Sequence, residues 1–518
     1  MTASIDSGEL RERIIAGGEF ALVDVRESGP FAHGHVLSAC NLPLSRLELG
    51  IAALLPRKAT FVVLTDGGDG LSRRATGVLQ TMGYGDIAVH EGGIEAWQAA
   101  GGEVFEGINV PSKAFGECIE SACATPALDA DEVHRRIAAG DDIIVLDGRP
   151  FSEYGDFAIP GALSCPNSEL ARHITDLVPS PSTTVVVNCA GRTRSIIGAQ
   201  TLRNTGLANP VHALENGTIG WEWAGHSLEY GAGRRPGGTS ASSHAWGIEA
   251  CRRMASATGL GEIDEATLDD WLKDESRTLY RFDVRSPEEH ARGVLAGMTA
   301  IEGTQLVQET DSWIAVRDAR IVLGDDCGTR SRFAGHWLKQ MGYCDVHVLD
   351  TDHVLPVPST PPDAPMVPPG EAAADGWTIL DLSSSLQYIS CHPAGAFWAL
   401  RSRLAGCAPA ADRGLAVLDD EGGRLAALAV TDLAVLGIGA RVLEGGLEAW
   451  IAAGLPVAAG HEGALCAMDD RGEAPFGILD DPDGAKRRYI AWEKGLPAQI
   501  ERDGLLSFRP VTEPQGEH

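Results

Sequence analysis

Paired cysteines are missing from this chain. Its 11 cysteines are odd in number and scattered singly, with no Cys-x-x-Cys and no cysteine–histidine cluster at zinc spacing. A disulfide framework is not expected in a chain of this size, and no spacing calls for a metal or an organic cofactor. No uninterrupted apolar run is long enough to cross a bilayer. The first residues (Met1-Thr2-Ala3-Ser4-Ile5-Asp6) lack the basic-then-apolar pattern of a secretion signal. A reducing, cytoplasmic setting is therefore expected, with no membrane contact. Basic charge is also short: 42 Lys and Arg against 72 Asp and Glu leave a formal net charge of −30. That balance argues against nucleic acid or an anionic membrane surface as a partner, since both need a basic face. An anionic small molecule would be repelled at long range, so positive charge must be supplied locally wherever one binds.

What is present is repetition. A length of 518 residues exceeds one ordinary core, and a composition of 44% hydrophobic and 22% charged residues is that of a globular protein. An apolar strand ending in an acidic residue occurs as Ala21-Leu22-Val23-Asp24-Val25-Arg26, Ile144-Val145-Leu146-Asp147-Gly148-Arg149, Tyr280-Arg281-Phe282-Asp283-Val284-Arg285 and, more faintly, Thr378-Ile379-Leu380-Asp381. A turn follows each, then a second apolar strand, a loop, and a helix-period segment that stops at a glycine: Gly83, Gly206, Gly342 or Gly437. A last short strand leads into Glu91-Gly92-Gly93, Glu215-Asn216-Gly217 or Glu444-Gly445-Gly446, each followed by a tryptophan, and the third copy lacks this motif. Strands alternating with helices predict an α/β architecture of four tandem units, each a small parallel sheet with helices on both faces.

The units are expected at 1–105, 126–235, 258–352 and 370–460, with a C-terminal extension at 461–518. Gly237 to Ser243 reads as a flexible joint ahead of a short helix around Gly247 to Ser256, and Pro356 to Pro369 as a stiff spacer. Within the extension, Arg487 to Glu501 is amphipathic and suited to packing on its own chain or on a second subunit.

In parallel sheets the site lies at the carboxyl ends of the strands. There the second unit carries Val187-Asn188-Cys189-Ala190-Gly191-Arg192-Thr193-Arg194-Ser195. A cysteine between a strand end and a helix start is met by inward-pointing backbone N–H groups and by the positive end of the helix. That setting, with cations nearby, is expected to lower the thiol pKa. Arg192 and Arg194 supply the local positive charge and can clamp an anionic donor, although Arg194 is equally suited to bonding loop carbonyls. Gly191 permits the tight turn, Ser195 is placed to cap the next helix, and Ala190 and Thr193 complete the loop. Asp147, Arg149 and Glu153 are read as structural ion pairing that braces the loop region.

The Asp-Val-Arg strand ends, Pro160-Gly161-Ala162, Cys189 with Arg194-Ser195, and the Glu-Gly-Gly stretches with their tryptophans together resemble the rhodanese family, in its bacterial four-domain form. The resemblance implies transfer of a sulfane sulfur through a persulfide on Cys189, from an anionic donor such as thiosulfate to a thiophilic acceptor: cyanide in an assay, a thiol in the cell. Cysteine phosphatases and arsenate reductases of related fold space their arginine one residue further along. Mercaptopyruvate as donor is the alternative, disfavoured by the two arginines. A scaffold or persulfide carrier that docks a partner enzyme through its inactive units is the reading of a different class, and a homodimer is open as well.

Strand alignment puts Asp66, Asp325 and Asp419 where the second unit has Cys189, so those units are expected to be inactive. Cys327, two positions later in the third loop, is the one other thiol placed to relay sulfur. The remaining cysteines read as structural.

Overall fold

A computed structural model describes residues 3–356, 363–374, 376–472 and 481–512. Four five-stranded sheets follow one another along the chain, each with the same strand order. In the second, the order across the sheet is Ala127–Leu128, Val211–Leu214, Thr184–Asn188, Ile143–Asp147 and Leu163–Ser164, all parallel. The central strand, Thr184–Asn188, is buried along its whole length. Val185 and Val187 join one core cluster with Ile174 and Leu202, while Val186 joins the other with Val133 and Trp221. That two-sided burial is what a β-branched run without polar alternation requires.

The helix after the Cys189 loop, Thr193–Asn204, ends before Gly206, whose φ of 77° only glycine adopts freely. At three of the four strand ends an aspartate and the arginine two residues on form a buried ion pair: Asp24–Arg26, Asp147–Arg149 and Asp283–Arg285. Each arginine reaches on to a backbone carbonyl (Gly34, Phe157, Gly293), so the pair staples strand end to following turn. The fourth unit has Ser383 in place of the arginine, and burial pushes Asp381 up to about 6.

The units are not beads on joints. Core residues of the first unit (Val62, Leu64, Tyr84) and the third (Tyr280, Phe282, Trp337) belong to one continuous cluster, joined by Phe115 and Ile119 of the segment between units one and two. Ion pairs and hydrogen bonds seal the contacts. Arg401 clasps Glu48 at 2.7 Å between units four and one, and Arg330 meets Glu169 at 3.1 Å between units three and two.

Several boundaries move. The segment between the first and second expected units holds a helix, Val110–Cys123, buried on most of its faces. The expected flexible joint is tied down: Ser240 caps the helix Ala241–Ala257 and is bonded to Asp176 through both its N–H and its hydroxyl, so that helix begins well before Gly247. Of the Pro-rich spacer, 357–362 lie outside the described residues. Its end, Met366–Val367, is an edge strand of the fourth sheet rather than linker. The amphipathic segment near the C-terminus is a helix, Pro482–Asp503, laid on this same chain against Val110–Cys123. Among the described residues no helix is long and apolar enough to cross a membrane.

Candidate active site

Cys189 directly follows the central strand of the second sheet and is 2% exposed. Its loop is held from below by the helix Gly217–Trp223. Thr218 and Ile219 donate their N–H groups to the carbonyls of Cys189 and Ala190, at 2.9 and 3.1 Å. This close approach demands glycine: a Cβ on Gly217 would lie 2.3 Å from the Cys189 carbonyl oxygen, and its φ is +56°. With those carbonyls drawn downward, the loop can turn its N–H groups toward the thiol's side.

The three sister loops display what such a loop binds. Asp66 accepts from the N–H groups of Gly68 and Ser72 and from the Ser72 hydroxyl, at 2.8, 2.9 and 2.8 Å. Asp325 accepts from the N–H groups of Cys327, Arg330 and Ser331, and Asp419 from those of Glu421, Gly423 and Ala426. In each, a carboxylate of the chain fills the anion cradle. The second loop has no carboxylate at that position.

Around Cys189 the structure departs from the sequence expectations in three ways. First, Ser195 is not a helix cap. The helix starts at Thr193, and the Ser195 hydroxyl instead donates to Cys189 Sγ at 3.0 Å. Second, neither arginine is free. Arg192 is buried and bonds Glu117 at 2.6 and 2.9 Å, Glu120, and Asn216 at 3.3 Å, so it anchors the loop to the Val110–Cys123 helix. Arg194 makes a two-pronged pair with Glu153, 2.7 Å on each prong. Third, the thiol is not made more acidic overall. Burial pushes Cys189 above the usual thiol range; Arg194 and the hydrogen bonds from Ser195 pull it back only in part, and Glu493 adds to the rise. Because Arg194 already has its counterion, one cation does not offset the loss of water.

Asp147 and Arg149 lie behind the loop as a fully buried pair at 2.7 Å, with Asn188 donating to the same carboxylate at 3.0 Å. Of the other expected residues, Ala190, Gly191 and Thr193 all line the cavity with Cys189.

That cavity, about 250 Å³, is not a property of the second unit alone. Lys113 comes from the inter-unit helix, Gln305, Gln308 and Glu309 from the third unit, and Tyr489 and Glu493 from the C-terminal helix. None of these was readable from the loop. The one available signal was the amphipathic pattern near the C-terminus, which carries no information about what it covers. A larger cleft, about 520 Å³, opens between the second and third units, and its only cysteine is the buried Cys165. Cys327 does not approach Cys189's setting: it lies against the Asp325 carboxylate, 3.5 Å from both oxygens, and burial together with that negative charge pushes it up to about 11.

Comparison with known proteins agrees with the repeated architecture. The family profile described as "Rhodanese-like domain" matches residues 6–100, 129–224 and 265–352. The crystal structure of a thiosulfate sulfurtransferase from Pseudomonas aeruginosa superposes with a TM-score of 0.91 at 42% identity, covering 99% of this chain and 100% of that one. A sulfurtransferase from Allochromatium vinosum is 30% identical over 101 residues, 20% of this chain and 92% of its own.

Proposed function

The chain belongs to the rhodanese-like domain family, and from that premise we propose that it is a sulfurtransferase that moves the sulfane sulfur of thiosulfate to a thiophilic acceptor through a persulfide on Cys189. The observation that carries this reading is the contrast among the four loops: three anion cradles are filled by Asp66, Asp325 and Asp419, and the fourth presents a thiol.

In the first half-reaction the Cys189 thiolate attacks the outer sulfur of thiosulfate. The S–S bond of the donor breaks, its electron pair leaves on sulfite, and the transferred sulfur remains on Sγ as a persulfide anion. The cradle N–H groups, which hold carboxylates in the sister loops, are suited to holding that outer sulfur. Ser195 donates to Sγ, and Arg194 beside the thiol carries the positive charge that an anionic donor would share with Glu153. Arg192, spent on Glu117 and Glu120, keeps the loop in shape. In the second half-reaction cyanide, in an assay, or a thiol takes the outer sulfur and Cys189 is regenerated.

The experiment is thiocyanate formation from thiosulfate and cyanide by Cys189→Ser protein. Activity should vanish, along with the stoichiometric sulfite burst of the unmodified protein. Turnover at the normal rate by the serine variant would end this reading.

A further inference from the structure

Glu493 has no counterpart in the loop chemistry described so far, and its surroundings are unusual for a carboxyl group. It is 1% exposed and lines the cavity that holds Cys189. One oxygen, Oε1, accepts from the Tyr489 hydroxyl at 2.9 Å and from the Thr193 hydroxyl at 3.4 Å. The other, Oε2, is buried and has no hydrogen-bond partner among the described residues. That oxygen is aimed at the Cys189 loop: a Cβ built on Gly191 would come within 3.5 Å of it and within 3.2 Å of the Tyr489 ring. A buried carboxyl oxygen left without a donor is costly unless it meets one during function.

The charges facing Glu493 are mixed. Tyr489 lies on its own helix, Lys113 and Glu117 on the Val110–Cys123 helix, and Arg192 and Thr193 on the Cys189 loop. Burial raises the carboxyl above its usual range, while Lys113 and the Tyr489 hydroxyl restrain the rise. The phenol itself is held firmly protonated by burial and by Glu493, so it remains a donor to Oε1. The result is a base of raised strength, fixed on one side and open on the other, beside the sulfur to be transferred.

Resting on the sulfur-transfer reading above, we propose that Glu493 is the general base that deprotonates a small-molecule thiol acceptor in the second half-reaction. The acceptor S–H donates to Oε2 as the proton passes to it. The thiolate so formed attacks the outer sulfur of the Cys189 persulfide, the Sγ–S bond breaks, and its electron pair returns to Sγ, where Ser195 donates. Glu493 then releases its proton to water. Thiol and enzyme persulfide thus give the acceptor persulfide anion, the Cys189 thiolate and one proton, with no external oxidant or reductant. The acceptor is a low-molecular-weight mercaptan because the thiol is 2% exposed and the cavity of about 250 Å³ is walled by the C-terminal helix.

The test loads the full-length protein with thiosulfate, removes the excess, and mixes it in single turnover with thiols of graded acidity, from 2-mercaptoethanol to the already ionised thionitrobenzoate. Glu493→Gln should slow the alkyl thiol by roughly a hundredfold, the lower end of general-base effects, and the ionised thiol by no more than a few-fold. Tyr489→Phe, which removes the bond that favours the carboxylate, should move the acid limb of the alkyl-thiol rate to higher pH, and Glu493→Gln should abolish that limb. A loss equal for all thiols, no loss, or an unmoved acid limb in Tyr489→Phe would overturn the assignment while leaving sulfur transfer standing. Absence of sulfite release from the unmodified protein would overturn the sulfur-transfer reading and this assignment with it.

Discussion

Replacing Ser195 by alanine separates what the loop does for the thiolate from what it does for the fold. The hydroxyl donates to Cys189 Sγ at 3.0 Å, and Cys189 itself is 2% exposed. A hydrogen bond to a charged group contributes about 1.5–3 kcal/mol, and each 1.4 kcal/mol is about tenfold in an equilibrium. The bond favours the thiolate over the thiol, against the burial that pushes Cys189 up. Removing it pushes the thiol further up. Wherever the pH lies below the titration of both proteins, the thiolate fraction of Ser195→Ala should fall by the full factor, roughly ten- to a hundredfold. Above both titrations the two proteins should react alike. The assay is the rate of iodoacetamide alkylation of Cys189, paired with sulfite release from thiosulfate, each followed from pH 6 upward. A loss that persisted undiminished above both titrations, or no loss near neutrality, would refute the reasoning. Folding should be little affected, since alanine leaves no buried donor stranded and sulfur is a weak acceptor.

Two further outcomes are expected. Glu153→Gln removes the counterion that Arg194 holds on two 2.7 Å prongs; the KM for thiosulfate should fall several-fold and become more sensitive to ionic strength, and a raised KM would contradict the role given to Arg194. His336 is buried where the second and third units and the helix between them meet, its Nδ1 against the Met254 carbonyl at 2.9 Å and its Nε2 meeting the amides of Asn204 and Gln340, so the neutral ring is the form that fits. Burial lowers it from 6.5 to about 4, which means the unfolded chain takes up the proton first as the pH falls; stability should therefore decline between about pH 6.5 and 4, by up to about 3 kcal/mol from this group. His336→Gln should flatten that decline in denaturant titrations followed by the fluorescence of the adjoining Trp337, whereas an unchanged slope would exclude His336 as its source.

The repeats were legible because each unit writes its fold locally. Val185-Val186-Val187 can only be a strand buried on both faces, Gly206 can only be a stop, and an aspartate two residues before an arginine at a strand end has its partner within reach. Cys189 was legible for the same reason. What could not be read is whatever depends on distant segments. The partner of Arg192 is Glu117, 75 residues upstream, and the Thr193 hydroxyl finds Glu493 300 residues downstream. Neither separation leaves a periodicity. Arg192 was therefore read as free for a donor, Arg194 as divided between a donor and the loop carbonyls, the thiol as more acidic than usual, and Ser195 as a cap, each inferred from neighbours in sequence where neighbours in space decide. The aspartates were read only as marking units expected to be inactive. Their filling of the cradle emerged only from the N–H groups around them.

The distance between Thr193 and Glu493 along the chain has a consequence for synthesis. A ribosome makes the Cys189 loop long before it makes the helix that covers it, so the growing chain carries Cys189 unroofed while the last two units emerge. A chain cut short before Pro482–Asp503 keeps its thiol but lacks Tyr489 and Glu493, and its cavity has a missing wall. Such a chain would present Cys189 to any oxidant or electrophile, whereas the finished protein holds the same sulfur at 2% exposure.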